Sequence, residues 1–475
     1  MRTSRGSENS ELLDVATPRH SLLSGRFKQS FAYVALQSRM PGIMQQVVNT
    51  LHSNEQDLVK LYGPEVWKDI HMITHSIERL KRELSRDRQF ALFYGNEPDK
   101  AEWNAFLSEL PHPKKSYFRA CWLHAECYLY RRLFSFFESS KHLTNFDYFM
   151  DLKQEHLKIS ERAIISLTEA TRNLSKDFAS FSKLMHINLW SNHFELQLSA
   201  YPFSVHEDSC NIDVLTHVAN LDKRILVDDS ILVWNCLMKV KGQKEIIVDY
   251  ICDNAGFELF TDLLLMEYMI DHRLATQVRM HVKAIPWYIS DVMQSDVEWT
   301  VQYLMDHANE LISHMGHKIN RLMMENRIVI SPKSYFWTGP QSYFVMVDSS
   351  LSLYKLLSHG EVAIFKGDLN YRKLLGDYIW DSTEEFITCL RGFRPTNICA
   401  MRTVKCEVIC GLPEGTADHL LRIDPTWMIS GNYGVIQYTD SLKCKCDCWQ
   451  HPGTSMERTL TASSREVTEL GMCKK

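Results

Sequence analysis

Four oxygen-bearing side chains stand in turns that follow short apolar runs. Asp253 and Asn254 lie in Cys252-Asp253-Asn254-Ala255-Gly256, Asp291 ends Pro286-Trp287-Tyr288-Ile289-Ser290-Asp291, and Asp368 sits in Lys366-Gly367-Asp368-Leu369-Asn370. Two or three carboxylates with an amide oxygen make a hard donor set, suited to Mg²⁺ or Mn²⁺ with water in the open octahedral positions rather than to Zn²⁺. Singly, each of these residues is also an ordinary helix N-cap, so the chemistry depends on several of them converging. Gly256 adds a point where a ligand approaches the backbone closely. Glu258, on the first turn of the following helix, reads either as a dipole-favoured surface carboxylate or as support for its neighbours.

A site for phosphoryl groups also needs cations aimed at the phosphoryl oxygens. Arg402 and Lys405 interrupt the apolar run Ile398 to Ile409. Strand alternation puts them on opposite faces, so one of the two reaches a site at the strand end unless the strand bends or stops there. Lys405 is assigned to the phosphate and Arg402 to a structural ion pair. Lys366 and Arg372 flank Asp368 and read as solvated charges, Arg372 also as a group able to face an anion.

These turns meet only if the elements around them are neighbours. Glu245 to Ile251, Val278 to Ile285 and Val362 to Phe365 read as strands, and each is followed by a turn and an amphipathic segment, the pattern of a parallel sheet. The helices run from Phe257 to Ile270, through Trp299 and Leu304, and onward from Tyr371. Ligands of open parallel sheets bind outside the carboxyl ends of the strands, which is where the acidic turns lie. Upstream the period is helical: Met44, Val47, Val48 and Leu51 recur at 3.6-residue spacing, as do Val66, Ile70, Ile73, Ile77, Leu80 and Leu84. The expected fold class is therefore α/β, a three-layer α/β/α domain with a mostly parallel sheet plus an all-α N-terminal domain. The expected division is a disordered extension at 1–26, a helical domain at 27–204, the α/β/α domain at 205–438, and a polar tail at 439–475 carrying Cys444, Cys446 and Cys448.

With 475 residues, 45% of them hydrophobic, the chain can bury a sizeable core. A net charge of −5 gives no reason to expect nucleic acid or an anionic membrane as partner, so an anion site must be built locally. Thirteen scattered cysteines, several inside apolar segments, and no apolar run of eighteen residues lead to the expectation of a reduced compartment, the cytoplasm or also the nucleus.

The stretches Cys252-Asp253-Asn254-Ala255-Gly256-Phe257-Glu258-Leu259, Phe336-Trp337-Thr338, Phe365-Lys366-Gly367-Asp368-Leu369-Asn370-Tyr371-Arg372-Lys373 and Arg402-Thr403-x-Lys405 resemble the metal-dependent damage-control phosphatases. Within them the chain is similar to the subfamily marked by the last motif, which includes acidic-residue methyltransferase proteins. Upstream, Ser30-Phe31-Ala32-Tyr33, Glu126 to Arg132 and Leu189-Trp190-x-Asn192 extend the resemblance over roughly 27–438. It implies a divalent metal, Mn²⁺ first and Mg²⁺, Co²⁺ or Ni²⁺ otherwise, held by Asp253, Asn254 and Asp291. It implies hydrolysis of small phosphorylated metabolites such as fructose 1-phosphate and fructose 6-phosphate. The catalytic set is then Asp253, Asp291 and Lys405, and substrate is held by Asp253, Asn254, Glu258, Asp368, Leu369, Asn370, Tyr371, Arg372 and Lys405. The alternative is an S-adenosylmethionine-dependent methyltransferase acting on glutamates of a protein substrate. Against it, the turns lack the Gly-x-Gly-x-Gly run at which an adenosyl cofactor approaches the backbone.

Overall fold

The computed structural model describes residues 12–199 and 214–441. Its seven strands are β1 (Ile225–Asp228), β2 (Ile247–Ile251), β3 (Gln277–His281), β4 (Ile328–Ile330), β5 (Val362–Lys366), β6 (Asn397–Thr403) and β7 (Gly434–Thr439). They form one sheet in the order β1-β7-β6-β5-β2-β3-β4. All neighbours are parallel except β6 and β7, which run antiparallel. The three expected strand-turn-helix units are thus adjacent, with β2 between β3 and β5.

Alternation along the strands explains the layers, because successive side chains point to opposite faces. Ile251, Ala363, Phe365, Ile398 and Ala400 join one apolar core with the N-terminal helices. Val248, Tyr250, Val278, Met280, Ile364, Cys399 and Met401 join a second core on the other face. Both faces are covered, so the central strands are buried along their whole length, as expected of a parallel sheet. On the first face lie helices such as Met40–Ser53 and Val66–Ser85, whose buried residues include the periodic ones read from the sequence. On the second face lies Gly256–Asp271, apolar nearly all round because neighbours enclose it. The fold is α/β, with a mostly parallel sheet between helical layers and helices leading into it.

Element ends differ from expectation in ways that matter for the site. The helix after β5 runs Gly367–Leu375 rather than starting at Tyr371. Gly367 has φ 83, a conformation glycine adopts without steric cost, and it lets the chain turn from strand straight into helix. Asp368 to Arg372 are therefore helical. The last expected strand stops at Thr403 instead of Ile409, so Lys405 lies beyond the sheet edge.

The expected extension at 1–26 is ordered over its described part. Leu23 N donates to Asp377 O and His20 N to Ile379 O, both at 2.8 Å, and burial of the Leu23 side chain contributes part of the apolar gain that offsets ordering this segment. Residues 1–11, the expected boundary at 204 and 205, and the cysteine-bearing tail from 442 lie outside the described residues. Among the described residues no helix is long and apolar enough to cross a membrane.

Candidate active site

The acidic turns meet because their backbones are stitched together. Val292 N donates to Asp253 O at 2.9 Å and Ala255 N to Ser290 O at 2.7 Å, and Asn254 forms an isolated antiparallel bridge with Asp291. These bonds fix the turns after β2 and β3 against each other at the carboxyl edge of the sheet. A cavity of about 210 Å³ opens there, and Asp253, Asn254, Asp291, Asp368, Leu369, Arg372 and Lys405 all line it. The helical side contributes Phe31, Arg39, Glu126, His156 and Asn192.

The floor of this cavity is electrostatically costly. Burial, then the charges of Asp291 and Glu258, push the Asp253 carboxyl well up. Burial pushes Asp291 up to about 6 in spite of Lys283, whose Nζ stands 3.1 Å from Asp291 Oδ2 and donates to Cys252 O at 2.9 Å. Burial of both carboxyls, and the Asp291 charge that raises Asp253, favour a cation between them. Asn254 supplies an amide beside them: its Nδ2 donates to Asp253 Oδ2 and Glu258 Oε2, and its Oδ1 accepts from Ser290 Oγ. Among the described residues no three His, Cys, Asp or Glu side chains gather as a metal cluster. Two carboxylates and an amide are the hard-oxygen set that a water-rich Mg²⁺ or Mn²⁺ shell uses, and their surplus negative charge fits such an ion. Gly367 is required here, since a Cβ on it would overlap the Asp253 carboxylate.

Arg402 takes the structural ion pair expected of it and Lys405 lines the cavity, whereas Lys366 and Arg372 depart from the sequence reading. Lys405 Nζ donates to Asn192 Oδ1. Arg402 is buried and spent, pairing with Asp368 at 2.8 Å and donating to Cys406 O at 3.0 Å. Burial pushes Asp368 up, but Arg402 and Arg372 outweigh it and hold the carboxyl below its ordinary range. Lys366 is not a solvated charge: it is buried between Glu258 and Asp262, 2.9 Å from each. Arg372 is not solvated either, and pairs with Glu126 at 2.7 Å and Asp377 at 2.9 Å. Such pairs avoid the cost of an isolated buried charge.

Three residues expected to hold substrate do not line the cavity. Asn370 is fully buried, its amide donating to Lys366 O and Cys252 O while its Oδ1 accepts from Tyr343 Oη. Tyr371 Oη donates to Gln437 Oε1 at 2.7 Å. Helical geometry explains both: in a helix that starts at Gly367, positions 368, 369 and 372 share the face toward the cavity and 370 and 371 turn inward. Glu258 is buried, accepts from Asn254 Nδ2 and pairs with Lys366, and reaches the cavity acids through its charge.

Residues 35–420 match the damage-control phosphatase ARMT1-like domain. The chain belongs to that family. Damage-control phosphatase ARMT1 of Danio rerio is 35% identical over 436 residues, covering 88% of this chain and 96% of the relative. The human damage-control phosphatase ARMT1 is 32% identical over 445 residues, covering 88% and 98%. A crystal structure of a DUF89 family protein from Pyrococcus horikoshii is similar with a TM-score of 0.42 and 16% identity, over 80% of this chain and 97% of that one. Membership of a damage-control phosphatase family indicates a phosphatase enzyme.

Within this family member the sequence reading passed over Lys283, which balances Asp291. Its signal is weaker than the one that marked Lys405, since the strand run Val278 to Ile285 also carries Arg279 and His281. It also passed over His156 and its partner Glu195, to which no motif points.

Proposed function

We propose that this chain is a metal-dependent phosphatase that hydrolyses phosphate monoesters of small metabolites, with hexose phosphates such as fructose 1-phosphate and fructose 6-phosphate as substrates. One observation carries the reading. Asp253, Asn254 and Asp291 come from stitched neighbouring turns, and Lys405 enters the same cavity from the end of β6. The cavity volume supports a small ligand, since pockets for drug-sized molecules run from roughly 300 Å³ upward.

A divalent ion held by Asp253, Asn254 and Asp291 would supply Lewis-acid withdrawal of charge from the phosphoryl group. The chain's own residues do the rest. Lys405, oriented by Asn192, faces the equatorial oxygens, where charge develops in the transition state. Arg372, fixed between Glu126 and Asp377, holds the cavity wall and keeps Asp368 ionised together with Arg402. Asp253 is placed either to orient an attacking water or to attack phosphorus itself.

The test is a panel of sugar phosphates and 4-nitrophenyl phosphate assayed after chelation and then after addition of Mn²⁺, Mg²⁺, Co²⁺ or Ni²⁺. Activity should vanish with the chelator and return with at least one ion; indifference to the chelator would remove the hard-donor argument. The methyltransferase alternative draws no specific support from this cavity, because an acceptor carboxylate would meet two more acids on its floor. Transfer of labelled methyl from S-adenosylmethionine to a protein glutamate would restore it.

A further inference from the structure

His156 belongs to the helix Met150–Ile159, and its ring lines the cavity together with Asp253 and Asp291. Its Nδ1 lies 2.9 Å from Glu195 Oε1. Glu195, on the helix Phe178–Ser199, is buried and also accepts the backbone N–H of Phe257 at 3.2 Å. Gly256, at φ 66, stands against this carboxylate, and a Cβ there would press on Glu195 Oε1. The chain has therefore made room for a carboxylate whose task is to grip one nitrogen of a cavity histidine. With Nδ1 committed, Nε2 is the nitrogen left for the cavity, and an imidazole fixed this way is the arrangement of an acid–base catalyst.

Hydrolysis of a sugar phosphate expels an alkoxide, a poor leaving group, and none of Asp253, Asp291 or Lys405 has been assigned to protonate it. We infer that His156, positioned by Glu195, is the general acid that protonates the departing alcohol. The inference rests on the phosphatase reading above. As the bridging P–O bond breaks, its electron pair stays on the sugar oxygen and takes the proton from Nε2. The water consumed in the cycle gives its OH to phosphorus and its remaining proton re-protonates the imidazole, so ester and water become alcohol and phosphate with no other reagent.

The surroundings suit the role. The hydrogen bond to Glu195 outweighs burial and holds the His156 imidazole above its ordinary pKa. Glu155, on the same helix, adds a second negative charge. On the helices packed against it, Asp296 is engaged with Lys153, Glu258 and Asp262 with Lys366, and Glu161 with His307.

The leaving group decides the matter. In His156→Gln, kcat/KM for a hexose phosphate should fall about 10²–10⁴-fold, the usual worth of general acid catalysis, whereas 4-nitrophenyl phosphate, whose phenolate departs unaided, should lose less than tenfold. Across a series of aryl and alkyl phosphates, the dependence of rate on leaving-group pKa should become steeper in the variant. Glu195→Gln should move the alkaline limb of the hexose phosphate pH profile to lower pH. Equal losses on both ester classes, or an unchanged slope, would overturn the proposal. Should Glu195→Gln fail to fold, the slope measured on His156→Gln decides alone. A wild-type chain that hydrolyses neither ester would instead sink the phosphatase reading.

Discussion

Lys283→Met offers the sharpest test of the charge balance at the carboxyl edge of the sheet. The ammonium is buried, 3.1 Å from Asp291 Oδ2, and Asp291 is itself buried. Removing one partner of a buried ion pair costs about 3–5 kcal/mol when the other charge must stay. Asp291 can escape part of this by taking a proton. Its carboxyl is already pushed up to about 6 by burial, with Lys283 opposing, so losing Lys283 moves it higher. A carboxyl whose folded pKa exceeds its unfolded value favours the folded state at low pH and loses that advantage as pH rises between the two values. In the parent that loss ends near pH 6. In the variant it continues, so the stability gap should widen by about 1.4 kcal/mol for each further pH unit until the new pKa is reached. Urea unfolding followed by circular dichroism at pH 6 and pH 8, in chelator, measures both gaps. A destabilisation below about 1 kcal/mol at both pH values, or a gap that does not grow, would refute the reasoning.

Three further outcomes are expected. Asp253→Asn should abolish turnover of 4-nitrophenyl phosphate and raise the thermal midpoint, because it removes one of two mutually repelling acids; a parental rate would take Asp253 out of the site. Lys405→Met should lower kcat/KM on phosphate esters about 10²–10³-fold in steady-state assays, and a change confined to stability would make the residue structural. Gly367→Ala should cost about 1–2 kcal/mol for the left-handed backbone and a larger fraction of activity, since the new methyl displaces the Asp253 carboxylate. Thermal melts and kinetics on one preparation separate the two effects.

The central strands and their acidic turns were legible because each turn follows an apolar run and parallel sheets gather such turns at one edge. The periodic stripe from Val66 to Leu84 was legible for the same reason, one face of a helix meeting a core. Strands β1 and β4 were not, with only four and three residues, and β7 was not because it follows a long return from Thr403 that includes the helix Thr416–Ile423. The fate of Lys366 and Arg372 was hidden because their partners, Glu258, Asp262, Glu126 and Asp377, come from other elements, and only folding shows that a charge beside a turn is buried. Asn370 and Tyr371 were misplaced by one cause, a helix that begins four residues early on Gly367.

The sheet order has a consequence for how the molecule is made. Among the described residues β1 pairs only with β7, and β6 relies on β7 along one whole side. A ribosome delivers residues 225–228 some two hundred positions before β7, the strand they pair with. Until Thr439 has left the exit tunnel, β1 has no ladder to join and β6 presents an open edge. The loop bearing Lys405 hangs between β6 and that missing strand. A nascent or truncated chain ending before Gly434 should therefore hold an incomplete cavity, and full assembly should wait for the last described strand to join β6 and bring β1 into the sheet.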